Sequence, residues 1–571
     1  MKNETNIRGC PRQPPSKMKV KWTMLGMVVF FLLSVVMTCC FIWQYRMPKL
    51  KTVVVEKQAT VEEMCPRFPE PVPLKHPITS LRVALERIDL LLKMSVHSTK
   101  LPAISALIVL NDSVLWNGNF GKTNTSDSSS SVPNEYTVYR IASLSKIFPT
   151  LMLYKLWEDG LVDSLDDPLE KYADNFTIKN PLGKSGGSLR DPGVRSPGLS
   201  LRRMASQLSG LPRRLRSTNL LWSGDTESAL NLLKDEVLVA DPGTRCHYSN
   251  VAFSLLANVL ARKVAGSDFE SWVSDNILVK LNMEDTGFNL TPRIQKKMAV
   301  GVYSNGQLAP LYDLGWYRPA GQMYSTTADM AKLMMALLGV SGGLVLRKDT
   351  LNTMLTPVLR CHDGYFANST GTPWEINEQF GYDVVRKDGD LDGYAATLSL
   401  VPRLKLGLVV LMAGVRPGDQ DLVNRAYSYL IPAVQSAFRD ARKTVRPPPD
   451  PTPYVGFFTY RNMTFYEIKA DSDGVLIMQQ FGPQLDTTVP AKYRTIRLDY
   501  LQERVFRLVF ESPYPCKLKF NSASVSLDIQ DGQLFNFHVF TKKGVSPGFD
   551  SPGLNTYTVT RIAGRPFFIS Q

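Results

Sequence analysis

The sequence predicts an α+β chain with an amino-terminal membrane helix and a small all-β domain at its carboxy end. Three observations carry this. Residues 22–43 (WTMLGMVVFFLLSVVMTCCFIW) contain no charge. From residue 79 to 445, segments apolar at helical spacing are mixed with strand-like runs. Beyond a proline-rich break at 446–453 (RPPPDPTP), strand-like runs dominate.

The uncharged segment comes first. Twenty-two residues at about 1.5 Å each span ~33 Å, which matches a hydrocarbon core of about 30 Å. Tryptophans bound it at both ends, where their amphipathic rings suit the interfaces. A signal peptide would have a shorter apolar region and a small-residue cleavage site, whereas Gln44-Tyr45-Arg46 follows here. Residues 22–43 therefore read as an uncleaved anchor, with the lipid bilayer as partner. Residues 1–21 carry six Lys or Arg and one Glu, which points this tail to the cytoplasm and the body outward, a single-pass type II arrangement. The net charge of +14 is concentrated in that tail and in residues 44–57, so no basic stripe calls for nucleic acid.

A charged, proline-bearing stalk is expected over 44–78. Residues 80–95 have helical spacing and open the main domain, assigned to 79–445. Residues 103–115 read as a strand pair turning at Asn111-Asp112. Residues 251–265 and 327–338 read as helices, and 406–413 (LGLVVLMA) as a buried strand. After the 446–453 linker, strands are expected at 454–460, 474–480, 504–510, 524–529, 534–540 and 556–562. They imply a small barrel or sandwich over 454–571.

Acceptor patterns for N-glycosylation occur at Asn111, Asn124, Asn175, Asn289, Asn368 and Asn462. Cys65, Cys246, Cys361 and Cys516 lie outside the tail and anchor; they permit three pairings, or four buried thiols. No CxxC or Cys/His cluster suggests a metal, and no cofactor is called for.

The chemistry concentrates at Ser143-Leu144-Ser145-Lys146. If residues 140–154 begin a helix, Ser143 and Lys146 share one face. A serine hydroxyl is a weak nucleophile until a base takes its proton, and a desolvated neutral lysine can be that base. The spacing alone is common: Ser16 and Lys19 repeat it in the basic tail.

With its surroundings, this stretch resembles the serine β-lactamase and penicillin-binding protein family, in its class C and D-alanyl-D-alanine carboxypeptidase branch, over about residues 80–440. Residues 140–146 (RIASLSK) look like that family's nucleophile motif. Ser206-Gln207-Leu208-Ser209-Gly210-Leu211-Pro212 resembles a family loop in which histidine is common at the Gln207 position. Tyr248-Ser249-Asn250 is similar to its Tyr-x-Asn motif, since it follows a Pro-Gly turn and precedes an apolar helix; Tyr303 and Tyr460 read as turn or strand residues. The third motif fits Lys387-Asp388-Gly389 in chain order, in preference to His362-Asp363-Gly364. Residues 319–330 look like a further family signature with a structural role.

The resemblance implies a β-lactamase/transpeptidase-like fold, an antiparallel sheet flanked by helices plus a helical subdomain, with a lipocalin-like carboxy-terminal domain. It implies acyl transfer on a small-molecule or peptide substrate. Lys146 and Tyr248 would deprotonate Ser143, amides of Ser143 and Asp390 would hold the oxyanion, and Asn250, Lys387, Asp388 and Gly389 would line the substrate site. Asp388 stands where the family offers a hydroxyl donor. With Asp390 and Asp392 nearby it implies a preference for neutral or cationic substrates over anions. Two functional classes follow: an active membrane-anchored serine hydrolase, or a pseudoenzyme using the pocket for binding. Oligomeric state is not legible.

Overall fold

The computed structural model describes residues 22–46, 81–99, 101–181, 198–418, 421–442, 445–482, 494–510, 517–520, 523–526, 532–551 and 556–566. Residues 1–21, residues 47–80 with most of the expected stalk, residues 182–197, Cys65 and Cys516 lie outside them. The uncharged segment forms one helix, Trp22–Arg46, whose apolar stretch Met24–Ile42 is long enough to cross a membrane.

The main domain is built on an eight-stranded antiparallel sheet. Its spatial order is Ser113–Gly121, Ala103–Leu110, Leu406–Ala413, Tyr394–Val401, Tyr382–Leu391, Glu375–Gln379, Ser369–Thr370 and Leu359–Arg360. The central strand Leu406–Ala413 is buried along its whole length, which explains its unbroken apolar run. Successive side chains point to opposite faces. Leu408, Val410 and Met412 pack with helices Arg82–Thr99 and Leu422–Arg442, while Val409, Leu411 and Ala413 join the core beneath the helical subdomain.

That subdomain surrounds two helices. Ile147–Glu158 is buried over most of its length, and Asn250–Lys263 starts at a Ser249 cap whose hydroxyl accepts from the Ala252 amide at 3.1 Å. The stretch expected to begin a helix at Arg140 instead opens with a two-residue strand, Tyr139–Arg140, and a tight 3₁₀ turn, Ala142–Lys146. Ala142 causes the delay. It sits at φ 47°, a left-handed conformation that no helix interior accommodates.

The carboxy-terminal domain is a closed barrel of Gly456–Tyr460, Thr464–Ala470, Leu476–Phe481, Thr495–Gln502, Val505–Phe510, Leu534–Phe537, Gly548–Ser551 and Thr556–Ile562. Phe458, Tyr466, Phe506, Phe535, Phe537 and Phe549 fill its interior, as eight strands leave room only for side chains or a small ligand. Ala523–Ser526, part of the strand expected at 524–529, pairs with Lys517–Phe520 in a separate two-stranded ribbon.

Candidate active site

Ser143 lies on the 3₁₀ turn, which is pinned from two sides. The Ile141 amide donates to the Met323 carbonyl at 2.9 Å, and the Met323 amide donates to Ser145 Oγ at 3.0 Å. Ser145 is thereby occupied and fully buried, whereas Ser143 stays partly open. The turn presents one hydroxyl.

Two groups meet that hydroxyl. Lys146 Nζ donates to Ser143 Oγ at 3.1 Å and to the Ala320 carbonyl at 2.7 Å; Tyr248 Oη donates to Ser143 Oγ at 2.7 Å. The Lys146 ammonium is brought down to about 8, mainly by burial, with Tyr248 opposing the shift and the Lys387 charge adding to it. For Tyr248, burial alone would raise the phenol, but Lys146 and Lys387 outweigh it and hold it below its ordinary value. Their ammonium nitrogens stand 4.9 and 5.4 Å from the Tyr248 ring centre. Both members of the pair are thus held below their ordinary values.

The loop 206–212 positions Tyr248. The Gln207 side-chain oxygen accepts from the Ser249 amide at 2.7 Å while its carbonyl accepts from the His247 amide at 2.8 Å. Ser249 Oγ donates to the Pro212 carbonyl at 2.8 Å. Two residues before Tyr248, Cys246 is bonded to Cys361, which resolves one of the open pairings.

The strand Tyr382–Leu391, which becomes an edge strand beyond Arg386, supplies the opposite wall. Lys387 is 1% exposed and ion-paired to Glu375, whose second oxygen accepts from the Asp388 amide at 3.0 Å. Burial opposes the Lys387 charge, but Glu375 more than offsets it and keeps the ammonium protonated. Gly389 packs on the nucleophile turn, where a Cβ would lie 2.5 Å from the Ile141 carbonyl oxygen and 2.7 Å from the Ser143 nitrogen. Only glycine fits. Pairing with Glu375–Gln379 ends at Arg386, so the strand beyond has one free edge. Amides two residues apart point to the same edge, so the Asp390 N–H follows that of Asp388 toward it.

Asp388 corrects the charge expectation. It alternates with Lys387 and turns to the reverse face of the sheet. There it accepts from Arg386 Nε at 3.0 Å and Thr397 Oγ1 at 2.6 Å, and Arg416 stands 3.6 Å away. Burial would raise its carboxyl, yet these arginines hold it below the usual range. Asp390 is paired to Arg416 at 2.9 Å, and Asp392 accepts from Tyr303 at 3.2 Å. Asp388 therefore does not form part of an acidic wall facing Ser143.

Asn250 opens its helix 7% exposed, and its amide donates to the Arg213 carbonyl at 3.2 Å; among the described residues, no hydrogen bond joins its side chain to Lys146. His362 lies in the loop after Leu359–Arg360, against Tyr365. Asn111, Asn175, Asn289, Asn368 and Asn462 are exposed and Asn124 is partly so; Asn289 accepts from Arg318 at 2.7 Å. Sequence reasoning missed Glu375, Arg416 and the Ala320 carbonyl, the last within a segment expected to be structural. It also missed Arg213, an exposed cation 5.0 Å from the Tyr248 ring with no ion pair among the described residues.

Residues 88–430 match the protein family described as Beta-lactamase. The chain belongs to the beta-lactamase family. It is similar to the human protein named "Putative beta-lactamase-like 1", with 58% identity over 88% of this chain and 100% of that one. Beta-lactamase-like protein 4 of Dictyostelium discoideum is 30% identical over 66% of this chain and 68% of its own length. Among solved structures, the octameric penicillin-binding protein homologue from Pyrococcus abyssi has a TM-score of 0.51 at 21% identity, covering 80% of this chain and 96% of that one. A beta-lactamase/D-alanine carboxypeptidase from Yersinia pestis complexed with citrate has a TM-score of 0.51 at 22% identity, covering 62% and 99%. These structures share the beta-lactamase fold.

Proposed function

We propose that this beta-lactamase family member is a membrane-anchored serine hydrolase that forms an acyl-enzyme on an ester, amide or peptide substrate. The observation that carries the reading is the position of Ser143 Oγ, hydrogen-bonded to both Lys146 and Tyr248. When the Lys146–Tyr248 pair has given up one proton, it takes the Ser143 proton as Oγ bonds to the carbonyl carbon. The oxyanion develops against the amides of Ser143 and Asp390. Collapse breaks the bond to the leaving group, which receives the proton held by the pair. Water then attacks the acyl-enzyme by the same route and restores Ser143.

Asn250, Lys387 and Gly389 would border the bound substrate. The binding-module alternative rested on Asp388, and that carboxylate faces away from Ser143, neutralised by Arg386. A fluorophosphonate probe on the full-length protein tests the reading. Labelling in wild type and its loss in Ser143→Ala is expected, and no labelling of wild type would refute hydrolase function.

For topology, we infer a cytoplasmic tail over 1–21, the anchor over 22–43, a stalk over 44–78, and the hydrolase and barrel domains on the extracellular or luminal side. The Cys246–Cys361 bond suits an oxidising compartment. The exposed acceptor asparagines also support that side, and a mass shift on glycosidase treatment would check it.

A further inference from the structure

Arg416 lies on the reverse face of the sheet, three residues beyond the strand Leu406–Ala413, and the hydrolase mechanism has given it no task. Its guanidinium is almost fully committed. Nη2 donates to the Gly389 carbonyl at 3.2 Å and the Ala396 carbonyl at 2.8 Å, Nη1 to Thr397 Oγ1 at 2.7 Å, and Nε to Asp390 Oδ1 at 2.9 Å. Gly389 and Ala396 are cross-strand partners, so one nitrogen joins both strands at that rung.

The location matters because the segment after Arg386 has lost its neighbour on one side. A free edge is what leaves the Asp390 amide available, and it also leaves Gly389 and Asp390 without a neighbouring strand on that side, where Glu375 reaches only Lys387 and Asp388. Arg416 grips both residues whose placement the hydrolase reading needs: Gly389, packed on the Ser143 amide, and Asp390, to whose amide that reading assigns the second oxyanion donor. Asp388 completes the device. It lies 3.6 Å from Arg416 and is bonded to Arg386, which is paired in turn to Asp421 beside the helix Leu422–Arg442. An alternating row of charges thus ties the edge strand to the N-terminal end of a long helix.

We propose that Arg416 is a positioning residue that holds the oxyanion-binding strand in register with Ser143, and that Asp388 serves this reverse-face clamp instead of contacting substrate. The proposal rests on the serine hydrolase reading. A carboxylate at position 388 then has a structural cause: it places a shared negative charge between Arg386 and Arg416 and so links their two ion pairs into one row. A hydroxyl there could not.

The test is the second-order rate of fluorophosphonate labelling of detergent-solubilised full-length protein, with thermal stability measured alongside. Arg416→Gln should label about tenfold more slowly or worse, since a misplacement of about 1 Å can cost 10²-fold in such reactions. Guanidine at tens of millimolar, against an equal concentration of sodium chloride, should restore much of the loss. Arg416→Lys keeps the charge without the fork and should fall between the two; it carries the test if the glutamine variant does not fold. Wild type that labels while Arg416→Gln stays within about twofold of it, or a loss that guanidine leaves untouched, overturns the positioning role. Absence of labelling in wild type overturns the hydrolase reading itself, and this role with it.

Discussion

Gly389 sits so close to Ser143 that a methyl group on its Cα would lie 2.7 Å from the Ser143 nitrogen. The neighbouring atoms are backbone, so they cannot swing aside as a flexible side chain would. Gly389→Ala must push the edge strand away from the nucleophile turn. Overpacking of this kind costs about 1–3 kcal/mol of stability. Withdrawal of one oxyanion donor costs about 10²–10³-fold in rate. Labelling kinetics and a melting curve on the same sample check both; a rate near wild type would place the oxyanion site elsewhere.

The Lys146–Tyr248 pair predicts the pH profile of acylation. Burial and Lys387 bring Lys146 down to about 8, so at pH 7 only ~10% of the lysine is neutral. The base form grows as pH rises. Acylation should therefore increase by roughly tenfold between pH 7 and pH 9, levelling above pH 8. A profile flat across this window would remove the pair as the base.

The same shift has a consequence for stability. Lys146 titrates near 8 in the folded state and near 10.5 when unfolded, so below pH 8 folding holds a charged amine against its preference. A depressed lysine costs up to ~3 kcal/mol there, and the cost fades as pH rises from about 8 to 10.5. Lys146→Met should therefore gain on wild type as pH is lowered from 10 to 7, although it abolishes activity. Denaturant melts at the two pH values give the comparison, and a pH-independent difference would contradict a buried, depressed lysine.

Charge around Ser143 predicts substrate preference. Lys387 is balanced by Glu375, the Asp388 and Asp390 carboxylates are balanced by arginines, and Arg213 beside Tyr248 has no ion pair among the described residues. A carboxylate-bearing ester should react at least as fast as its neutral analogue. Because Arg213 is exposed, Arg213→Gln should reduce that advantage by only about fivefold, and less at high salt. Matched ester probes measure it; a strong preference for the cationic probe would reinstate the acidic wall.

Much of the site was legible because its signals are local. Ser143 and Lys146 are three residues apart, and Tyr248 is marked by the Pro-Gly turn before it and the apolar helix after it. The central strand 406–413 announced itself by burying both faces. Glu375, Arg416 and the Ala320 carbonyl carried no such mark, because strand register and a long excursion bring them to Lys387, Gly389 and Lys146. Asp388 is different. Its direction follows from strand parity, since an inward Lys387 requires an outward neighbour, and a period of two applied to that motif would have turned the carboxylate away from substrate. Among the barrel strands, Thr464–Ala470 and Thr495–Gln502 were missed because they lack a continuous apolar run, although Glu467, Lys469, Arg497 and Asp499 alternate there with the core residues Tyr466, Ile468, Ile496 and Leu498.

The central claim is that Ser143 becomes acylated. Full-length protein mixed with an activated ester, quenched in acid and digested with trypsin yields residues 141–146 (IASLSK) as one peptide, which carries both Ser143 and Ser145. Tandem mass spectrometry should place the acyl group on Ser143, and the corresponding longer peptide of Lys146→Met, residues 141–155, should carry no adduct. An adduct on Ser145 or on another residue, or none at all under conditions where the ester is consumed, would contradict the account.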